Sequence, residues 1–181
     1  LNHGAQASGG NGVFVQNNDE NQSVGINLDQ RSRVQGDIIG VDSNGDGQIT
    51  ATTDMTLNDL SSWQGATNGA VDQLSLSGGS EWTMTGDSTV GQVDLNDSTI
   101  AFAQPGNGDF KTLTVTGDFN SDGGVLLMNS ELNGDDSATD MLHVEGNTSG
   151  QAYVHVNNVG GVGDTTTDGI ELIQVDGQSN A

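Results

Sequence analysis

The chain has 181 residues, of which 31% are hydrophobic and 4% aromatic, enough for one domain with an economical core. Its 25 acidic and three basic residues give a net charge of -22, which excludes nucleic acid as a partner because phosphate backbones would be repelled. The absence of cysteine excludes disulfide frameworks, thiol catalysis and cysteine-ligated zinc. Since the sequence begins at Leu1 with neither a start methionine nor a signal peptide, we expect it to be part of a longer protein.

Short runs in which apolar and polar residues alternate recur along the chain, separated by clusters of Gly, Asn, Asp and Ser. This period of two predicts strands of three to five residues with one buried face, joined by polar corners. The runs lie at residues 74–76, 82–84, 93–95, 100–102, 113–115, 142–144 and 153–156. Since no comparable stretch has helical spacing, we predict almost no helix.

Equivalent runs return at a nearly constant interval, which indicates a repeat. Leu74 to Val93 is 19 residues, Val93 to Leu113 is 20, and Trp63 to Trp82 is 19. A period near 20 with short strands predicts an all-β solenoid of about eight coils, each stacked on the previous one. The alternative is an antiparallel β-sandwich, which has no reason to repeat at twice its strand spacing.

Two parts of the chain carry motifs that can be compared with those of known proteins. Residues 81–90 (EWTMTGDSTV) and 93–100 (VDLNDSTI) contain a Trp, then Gly-Asp-Ser, a short strand and an Asn-rich corner. A second set of motifs follows in order at residues 113–119, 140–150, 156–161 and 167–175. The first set resembles the coil pattern of autotransporter passengers of Gram-negative bacteria, in the pertactin-like and AIDA-type group. The second set resembles the autochaperone, or junction, region of that group.

The resemblance implies a right-handed parallel β-helix with a C-terminal β cap. Residues 1–112 would form coils of the passenger stem, and residues 113–181 the autochaperone cap. The resemblance also implies a bacterial cell-surface or extracellular location, with the passenger either anchored to the outer membrane through a C-terminal barrel absent from this sequence or released. The expected partner is that barrel, and further partners would be host surface or cytoplasmic proteins, or a second copy.

The function that the resemblance implies is not enzymatic. The chain would be the stem and autochaperone that nucleates passenger folding during outer-membrane secretion, in an adhesin, self-association or virulence protein. Candidates for the folding core are Leu113, Val115, Leu142, Val144, Ile170 and Leu172. One alternative is a host-protein-binding module that presents recognition loops. Another is a calcium-dependent β-helical surface enzyme, for which three basic residues leave little to build a catalytic groove.

Residues 42–49 (DSNGDGQI) fit the first eight positions of an EF-hand calcium loop. Asp42, Asn44 and Asp46 would supply oxygen ligands at positions 1, 3 and 5. The twelfth position requires a bidentate Glu but is Thr53, with Asp54 one residue later, and no amphipathic helix flanks the loop. This missing ligand favours a solvated Asx-turn loop over a calcium site, and no other cofactor is predicted.

A short Gly-Asp-Ser segment at residues 86–88 resembles the nucleophile segment of serine proteases, and His3, His143 and His155 could supply a base. The segment recurs within the coil pattern, which favours a structural turn. His143 and His155 alternate with aliphatic residues, so we expect both on the outward face of their strands, as solvated residues and not as a metal pair.

Aromatic residues at coil spacing have two interpretations. Trp63, Trp82 and Phe102 could be sugar-stacking platforms, but their spacing favours an internal aromatic stack.

Acidic residues cluster at two later positions of the chain. The first group contains Asp135, Asp136 and Asp140, and the second contains Asp164 and Asp168. Such carboxylates are close enough in sequence for acid/base catalysis. Because no enclosed apolar site would separate their pKa values, we expect both groups to be solvated turns.

Overall fold

The computed structural model describes residues 1–18, 22–46, 48–50 and 52–180. Within these residues, 15 strands join in one sheet through parallel ladders, and the antiparallel exception is an isolated bridge between Ser130 and Thr139. The helical content of this part is a single 3₁₀ turn at Gly106–Gly108, and no helix in it is long and apolar enough to cross a bilayer. The predicted all-β, parallel β-helical fold is therefore confirmed.

The strands differ in length because some cross one side of the solenoid and others cross two. In chain order they are β1 Gln6–Asn17, β2 Ser23–Leu28, β3 Arg33–Gly40, β4 Thr52–Leu57, β5 Ser62–Gly65, β6 Asn68–Leu76, β7 Glu81–Met84, β8 Ser88–Asn96, β9 Thr99–Phe102, β10 Thr112–Val115, β11 Phe119–Ser130, β12 Met141–Val144, β13 Thr148–Asn158, β14 Ile173–Val175 and β15 Ser179–Asn180.

Each coil crosses three faces in the same order, and the ladders align these segments from coil to coil. Face 1 contains residues 6–8, 33–35, 62–65, 81–84, 99–102, 125–130 and 153–158. Face 2 contains residues 13–17, 37–40, 67–71, 88–90, 112–115, 141–144 and 173–175. Face 3 contains residues 23–28, 52–57, 73–76, 92–96, 119–123, 148–151 and 179–180. The described residues thus form seven coils, where the sequence predicted about eight.

The coil length is less regular than the sequence predicted. Along face 1, Trp63 pairs with Trp82 and Trp82 with Ile100, so the predicted 19-residue interval at the tryptophans is correct. The predicted equivalence of Val93 and Leu113 is wrong, because Val93 pairs with Phe119 on face 3 and Leu113 lies on face 2. The connection between β9 and β10 has nine residues, against three between β7 and β8, and this extra length displaced the sequence alignment.

The two tryptophans form the centre of the core. Trp63 and Trp82 are fully buried, with ring centroids 4.7 Å apart and planes at 2°. Their indole N–H groups donate to the carbonyl oxygens of Gly36 (2.9 Å) and Gly65 (3.0 Å), so neither ring carries an unsatisfied donor. The internal stack is confirmed for this pair. Phe102 is also buried, but it pairs with Met84 and not with a tryptophan.

The corner between face 3 and face 1 repeats in the first coils with a left-handed backbone. At this corner the pairs Gln30–Arg31, Asp59–Leu60 and Gly78–Gly79 all have φ between 53° and 75°. The corners bond to each other, since the Arg31 N–H donates to the Asp59 carbonyl and the Leu60 N–H to the Gly78 carbonyl. A buried serine follows each corner, at Ser32, Ser61, Ser80 and Ser98. This ladder fixes the vertical alignment of the coils.

Gly65 is a position where the stack leaves no room for a side chain. A Cβ atom there would collide with the Gly36 carbonyl and lie 2.7 Å from the Trp63 indole nitrogen. We expect Gly65→Ala to destabilise the fold by about 2–3 kcal/mol, as overpacking does in tightly packed cores. Gly86→Ala is the matched control, because its Cβ would meet Ala66 at an ordinary 3.6 Å. Urea unfolding followed by tryptophan fluorescence measures both, and equal stability of the two variants would contradict the prediction.

Candidate functional site

Three long loops interrupt consecutive coils at the same corner, between face 1 and face 2. We call residues 103–111, 131–140 and 159–172 the first, second and third corner loops; they follow β9, β11 and β13. At the same corner of an earlier coil, only three residues separate β7 from β8. The loops stack, since the Gly163 N–H donates to the Leu132 carbonyl at 2.8 Å. They are the most distinctive feature of the C-terminal coils.

Asp140, in the second corner loop, is fully buried. Its Oδ1 accepts the Lys111 N–H at 2.8 Å, and its Oδ2 accepts the Asn129 N–H and side-chain Nδ2–H, both at 2.7 Å. The expectation that Asp140 belongs to a solvated turn is therefore wrong. Three protein donors replace the water that an exposed carboxylate would bind, which makes burial of the charge tolerable.

Asn129 and Lys111 extend this network to the neighbouring coils. The Asn129 amide also donates to the Phe102 carbonyl (3.0 Å), and its Oδ1 accepts from Asn157 (3.2 Å). The Lys111 ammonium donates to the carbonyls of Ala103 (2.8 Å) and Asp109 (3.2 Å). We call Lys111, Asn129 and Asp140 the buried polar cluster. It joins β9, β11 and β13 to the first two corner loops, and in the described part of the chain Lys111 and Asp140 are the buried charged residues.

Asp135 holds the second and third corner loops together. Its carboxylate accepts the backbone N–H groups of Thr167 (2.9 and 3.0 Å), Asp168 (3.2 Å) and Gly169 (2.9 Å). These bonds, above all the one from Thr167, hold the pKa of Asp135 below its usual 3.8, because they favour the ionised carboxylate. Within the predicted acidic groups, Asp135 is thus a structural link between loops.

The other acidic members of these groups are on the surface. Asp136, Asp164 and Asp168 are exposed, and the Asp164 carboxylate accepts the N–H of the next residue, Thr165, at 2.7 Å.

The residues predicted as a possible catalytic set have structural partners. The Ser88 hydroxyl is buried, donates to the Gly86 carbonyl (3.1 Å) and accepts the Thr67 N–H (3.2 Å). His143 points outward from β12, with Nε2 2.9 Å from the Asp176 carboxylate. This contact is the main cause that lowers the pKa of Asp176.

The two remaining histidines lie at the surface. His155 is exposed on β13, and His3 is exposed near the N-terminus.

The predicted calcium loop is folded by its own side chains. Asp42 Oδ1 accepts the Gly45 N–H (2.7 Å) and Asp46 Oδ1 accepts the Gln48 N–H (2.8 Å), while Asn44 Oδ1 accepts the Asp46 N–H (2.9 Å). Gly47, within the loop, lies outside the described residues. In the part of the chain that is described, no group of three His, Cys, Asp or Glu residues is placed to hold a metal ion. Calcium binding by Asp42, Asn44 and Asp46 stays a prediction.

The residue at the twelfth position of that loop is not placed as a calcium ligand. Thr53 is fully buried on β4, and Asp54, the next residue, is exposed on the same strand.

Six residues were predicted to form the folding core, and the structure separates them. Four are buried on face 2: Leu113, Val115, Leu142 and Val144. Leu172 is partly buried and packs against the core. Ile170 is half-buried and lies outside the hydrophobic cluster, because the third corner loop has no ladder partner there.

The C-terminal β cap over residues 113–181 stays a prediction. Within the described residues, strands β14 and β15 continue the coil stack as far as Asn180. Val154 and Val156 point inward on β13 yet are 38% and 42% exposed.

The comparisons with known proteins agree with this architecture. A family model described as autochaperone domain type 1 matches residues 88–181, which is 94 of the 181 residues and includes all three corner loops. The chain belongs to the autotransporter passengers with a type 1 autochaperone domain. The match begins at Ser88, upstream of the boundary at residue 113 that the sequence predicted.

Several relatives of this chain are autotransporters. The BrkA autotransporter of Bordetella pertussis is 31% identical over 183 aligned positions, covering 100% of this chain and 17% of the relative. A probable autotransporter of Escherichia coli, YfaL, is 40% identical over 133 positions, 72% of this chain and 9% of the relative. The adhesin AIDA-I of Escherichia coli is 46% identical over 70 positions, 39% of this chain and 5% of the relative. The chain thus spans less than a fifth of each of these proteins.

Family membership implies a location at the cell surface or outer membrane and a linkage of the passenger to its own outer-membrane barrel. The sequence did not indicate Asn129 or Lys111 as important residues of the autochaperone. The signal for Lys111 was present, because it is the single lysine in a chain of net charge -22. Asn129 had no such signal among the many asparagines.

Asp140→Asn should destabilise the autochaperone by about 2–4 kcal/mol, because an amide NH₂ would face a backbone N–H in a buried site. Asp136→Asn is the matched control, since Asp136 is exposed in the same loop. Urea unfolding of both variants tests this. A change below about 0.5 kcal/mol for Asp140→Asn, the range of surface substitutions, would contradict it.

Asp135 should make stability depend on pH in the acidic range. Its folded pKa is lower than the 3.8 of an unperturbed Asp, so its contribution is complete above pH 3.8 and is lost as pH falls through the folded pKa. The stability difference between wild type and Asp135→Asn should therefore shrink on acidification. A carboxyl-carbon NMR titration measures the folded pKa of Asp135 directly. A midpoint at or above 3.8 would contradict the predicted lowering of this pKa.

Proposed function

We propose that this chain is a non-enzymatic C-terminal stem and autochaperone, in which the coils from residue 88 onward fold first and template the upstream coils during secretion. The observation that carries the proposal is the buried polar cluster. It links the fifth, sixth and seventh coils through Phe102, Asn129, Asp140 and Asn157. The family match to residues 88–181 supports the same segment.

A solenoid needs such a segment because its first coil is the hardest to form. Each coil buries its inner face only against its neighbours, so an isolated coil loses conformational entropy without gaining a core. The buried polar cluster is complete only when all three coils are in place, so its hydrogen bonds favour cooperative formation of the three coils. Upstream of Ser88, the described residues bury no charged side chain, and neighbouring coils there are joined by ladders, corner bonds, apolar contacts and side-chain bonds such as those between Asn68 and Gly40.

The direction of folding follows from the barrel linkage. In a passenger that crosses the outer membrane through a C-terminal barrel, the segment next to the barrel reaches the outside first. No nucleotide-driven chaperone acts there, so a segment that folds early would template each later coil and oppose backward movement. The buried polar cluster lies in that C-terminal segment.

We also propose that the longer protein is an adhesin or self-associating surface protein. The support comes from relatives whose names include adhesin, namely AIDA-I and the BmaC adhesin of Brucella suis, the latter 40% identical over 85 positions. A host-protein-binding module is the alternative within the same architecture. A binding assay with the intact passenger on cells, compared with cell-free aggregation of the passenger, separates the two.

The folding order can be tested with two variants of similar stability. Asp140→Ala removes the centre of the buried polar cluster, and Leu28→Ala truncates a fully buried residue of β2 in the first coil. If the cluster forms in the transition state, a 3 kcal/mol loss at Asp140 should slow folding about 100-fold. Leu28→Ala should mainly speed unfolding, with folding slowed less than about threefold.

Trp63 and Trp82 lie in coils upstream of residue 88. Stopped-flow fluorescence of these tryptophans therefore reports when the upstream coils form. Equal slowing by the two variants would place the nucleus elsewhere. In the secreted protein, Asp140→Ala should leave less protease-resistant passenger on the cell surface than Leu28→Ala does. The reverse order would also contradict the proposed role.

A further inference from the structure

Asparagine is followed by glycine at five places in the chain: residues 11–12, 44–45, 68–69, 107–108 and 133–134. In such a pair the glycine backbone nitrogen can reach the side-chain carboxamide carbon of the asparagine, because glycine has no Cβ atom in the way. Attack at this carbon deamidates the asparagine. The attack requires a carboxamide that is free to rotate and a backbone that can open, so the fold sets the rate at each pair.

Hydrogen bonds on the reacting groups hold two of the pairs. Asn68 is exposed, yet its carboxamide is bonded at both ends to Gly40, whose N–H donates to Oδ1 (2.9 Å) and whose carbonyl accepts from Nδ2 (3.0 Å). In the pair at residues 44–45, the Gly45 N–H that would supply the nucleophile donates to Asp42 Oδ1 (2.7 Å). Exposure alone therefore does not make an Asn-Gly pair reactive.

Asn133 is held between the second and third corner loops. Its Oδ1 accepts the Val162 N–H at 3.4 Å, and its own N–H donates to Ser137 Oγ at 2.8 Å. The Leu132 carbonyl beside it accepts the Gly163 N–H at 2.8 Å, which fixes the two loops against each other. Movement of the backbone at Asn133 thus disturbs the contact between the two loops.

Asn107 lies at the tip of the first corner loop, and its side chain has no hydrogen-bond partner among the described residues. Asn107 and Gly108 are exposed, with left-handed backbone angles φ of 57° and 83°. They belong to the 3₁₀ turn Gly106–Gly108, which buries no residue. Because a single turn of this kind has few contacts to lose, it opens at low cost. Of the two Asn-Gly pairs in the autochaperone segment, this one is the less restrained.

Asn11 is the second open position. Residues 9–12 leave the ladder between β1 and β3, whose register passes from Ser8 to Val13. Asn11 and Gly12 are exposed on this bulge, with φ of 56° and 85°, and the Asn11 carboxamide likewise has no hydrogen-bond partner in the described part of the chain. This is the geometry found at the tip of the first corner loop.

We propose that Asn107 and Asn11 are sites of spontaneous deamidation, and that the fold protects the other three Asn-Gly pairs. At Asn107, the Gly108 nitrogen forms a bond to Cγ, the Cγ–Nδ2 bond breaks, and the carboxamide nitrogen leaves as ammonia with the proton of the Gly108 N–H. Water then opens the resulting five-membered imide at one of its two carbonyls and leaves either aspartate or β-linked isoaspartate. Water is the only co-reactant.

The modification changes the tip of the first corner loop but not the carboxylate of the buried polar cluster. Lys111 closes this loop by donating to the carbonyls of Ala103 and Asp109, on either side of the tip. The β-linked product adds a carbon atom to the main chain inside the closed loop and places a new negative charge at its tip. The three donors to Asp140 lie outside the tip. The inference is therefore independent of the proposed folding order.

Peptide mapping of the folded passenger, after incubation in mildly alkaline buffer, measures the reaction at each pair. Pepsin digestion at low pH stops the reaction, and chromatography with mass spectrometry separates the Asn, Asp and isoAsp forms of each peptide. We expect Asn107 and Asn11 to convert at least about tenfold faster than the other three asparagines, because a held pair must open before the attack. In urea, all five pairs should convert at similar rates, since no fold restrains them.

Asp42→Ala is the matched variant, because it removes the acceptor of the Gly45 N–H. The rate at Asn44 should rise about tenfold, toward that of the unfolded chain, while the rate at Asn107 stays unchanged. Equal conversion at all five pairs in the folded protein, or an unreactive Asn107, would overturn the proposal. An unchanged rate at Asn44 in Asp42→Ala would overturn the assigned cause of protection.

Discussion

Every coil of this molecule depends on the parallel ladder that joins it to the coils above and below. The ladder satisfies the backbone groups, and it places an inward side chain over its equivalent one coil away, as with Trp63 and Trp82 at 4.7 Å. A chain that is 31% hydrophobic can therefore form a continuous core, because each apolar side chain is shared between two neighbours.

Vertical alignment then constrains the backbone at strand ends and at corners. Gly65 has no space for a Cβ atom under the Gly36 carbonyl, and the corner that contains Asp59 and Leu60 adopts a left-handed backbone although neither residue is glycine. A non-glycine residue in this conformation costs about 1 kcal/mol. The corner bond from the Leu60 N–H to the Gly78 carbonyl offsets part of that cost. Alignment is thus maintained at the expense of local backbone preference.

The sequence was sufficient to predict the strands and the stacking, because alternation and a repeat are local signals. It also predicted the burial of Leu113, Val115, Leu142 and Val144. It failed where the coil length changed: the corner loops shifted the repeat and led to the wrong equivalence for Val93. Spacing along the chain also gave no indication that Asp140 would be buried, since its three donors come from Lys111 and Asn129, 29 and 11 residues away.

The buried polar cluster lies where three consecutive coils carry long connections at the same corner, whereas upstream the second coil alone has a comparable connection, between Gly40 and Thr52. Where coils are 18 or 19 residues long, short corners leave few alternative registers, and the ladder alone specifies the stack. A connection of nine or more residues at one corner, in place of three, allows the next strand to pair in a shifted register at little entropic cost. A buried carboxylate with three fixed donors penalises every such shift, since a displaced Asp140 would be desolvated without partners. The buried polar cluster therefore favours one register in three consecutive coils with long connections, and a unique register is what the proposed template role requires.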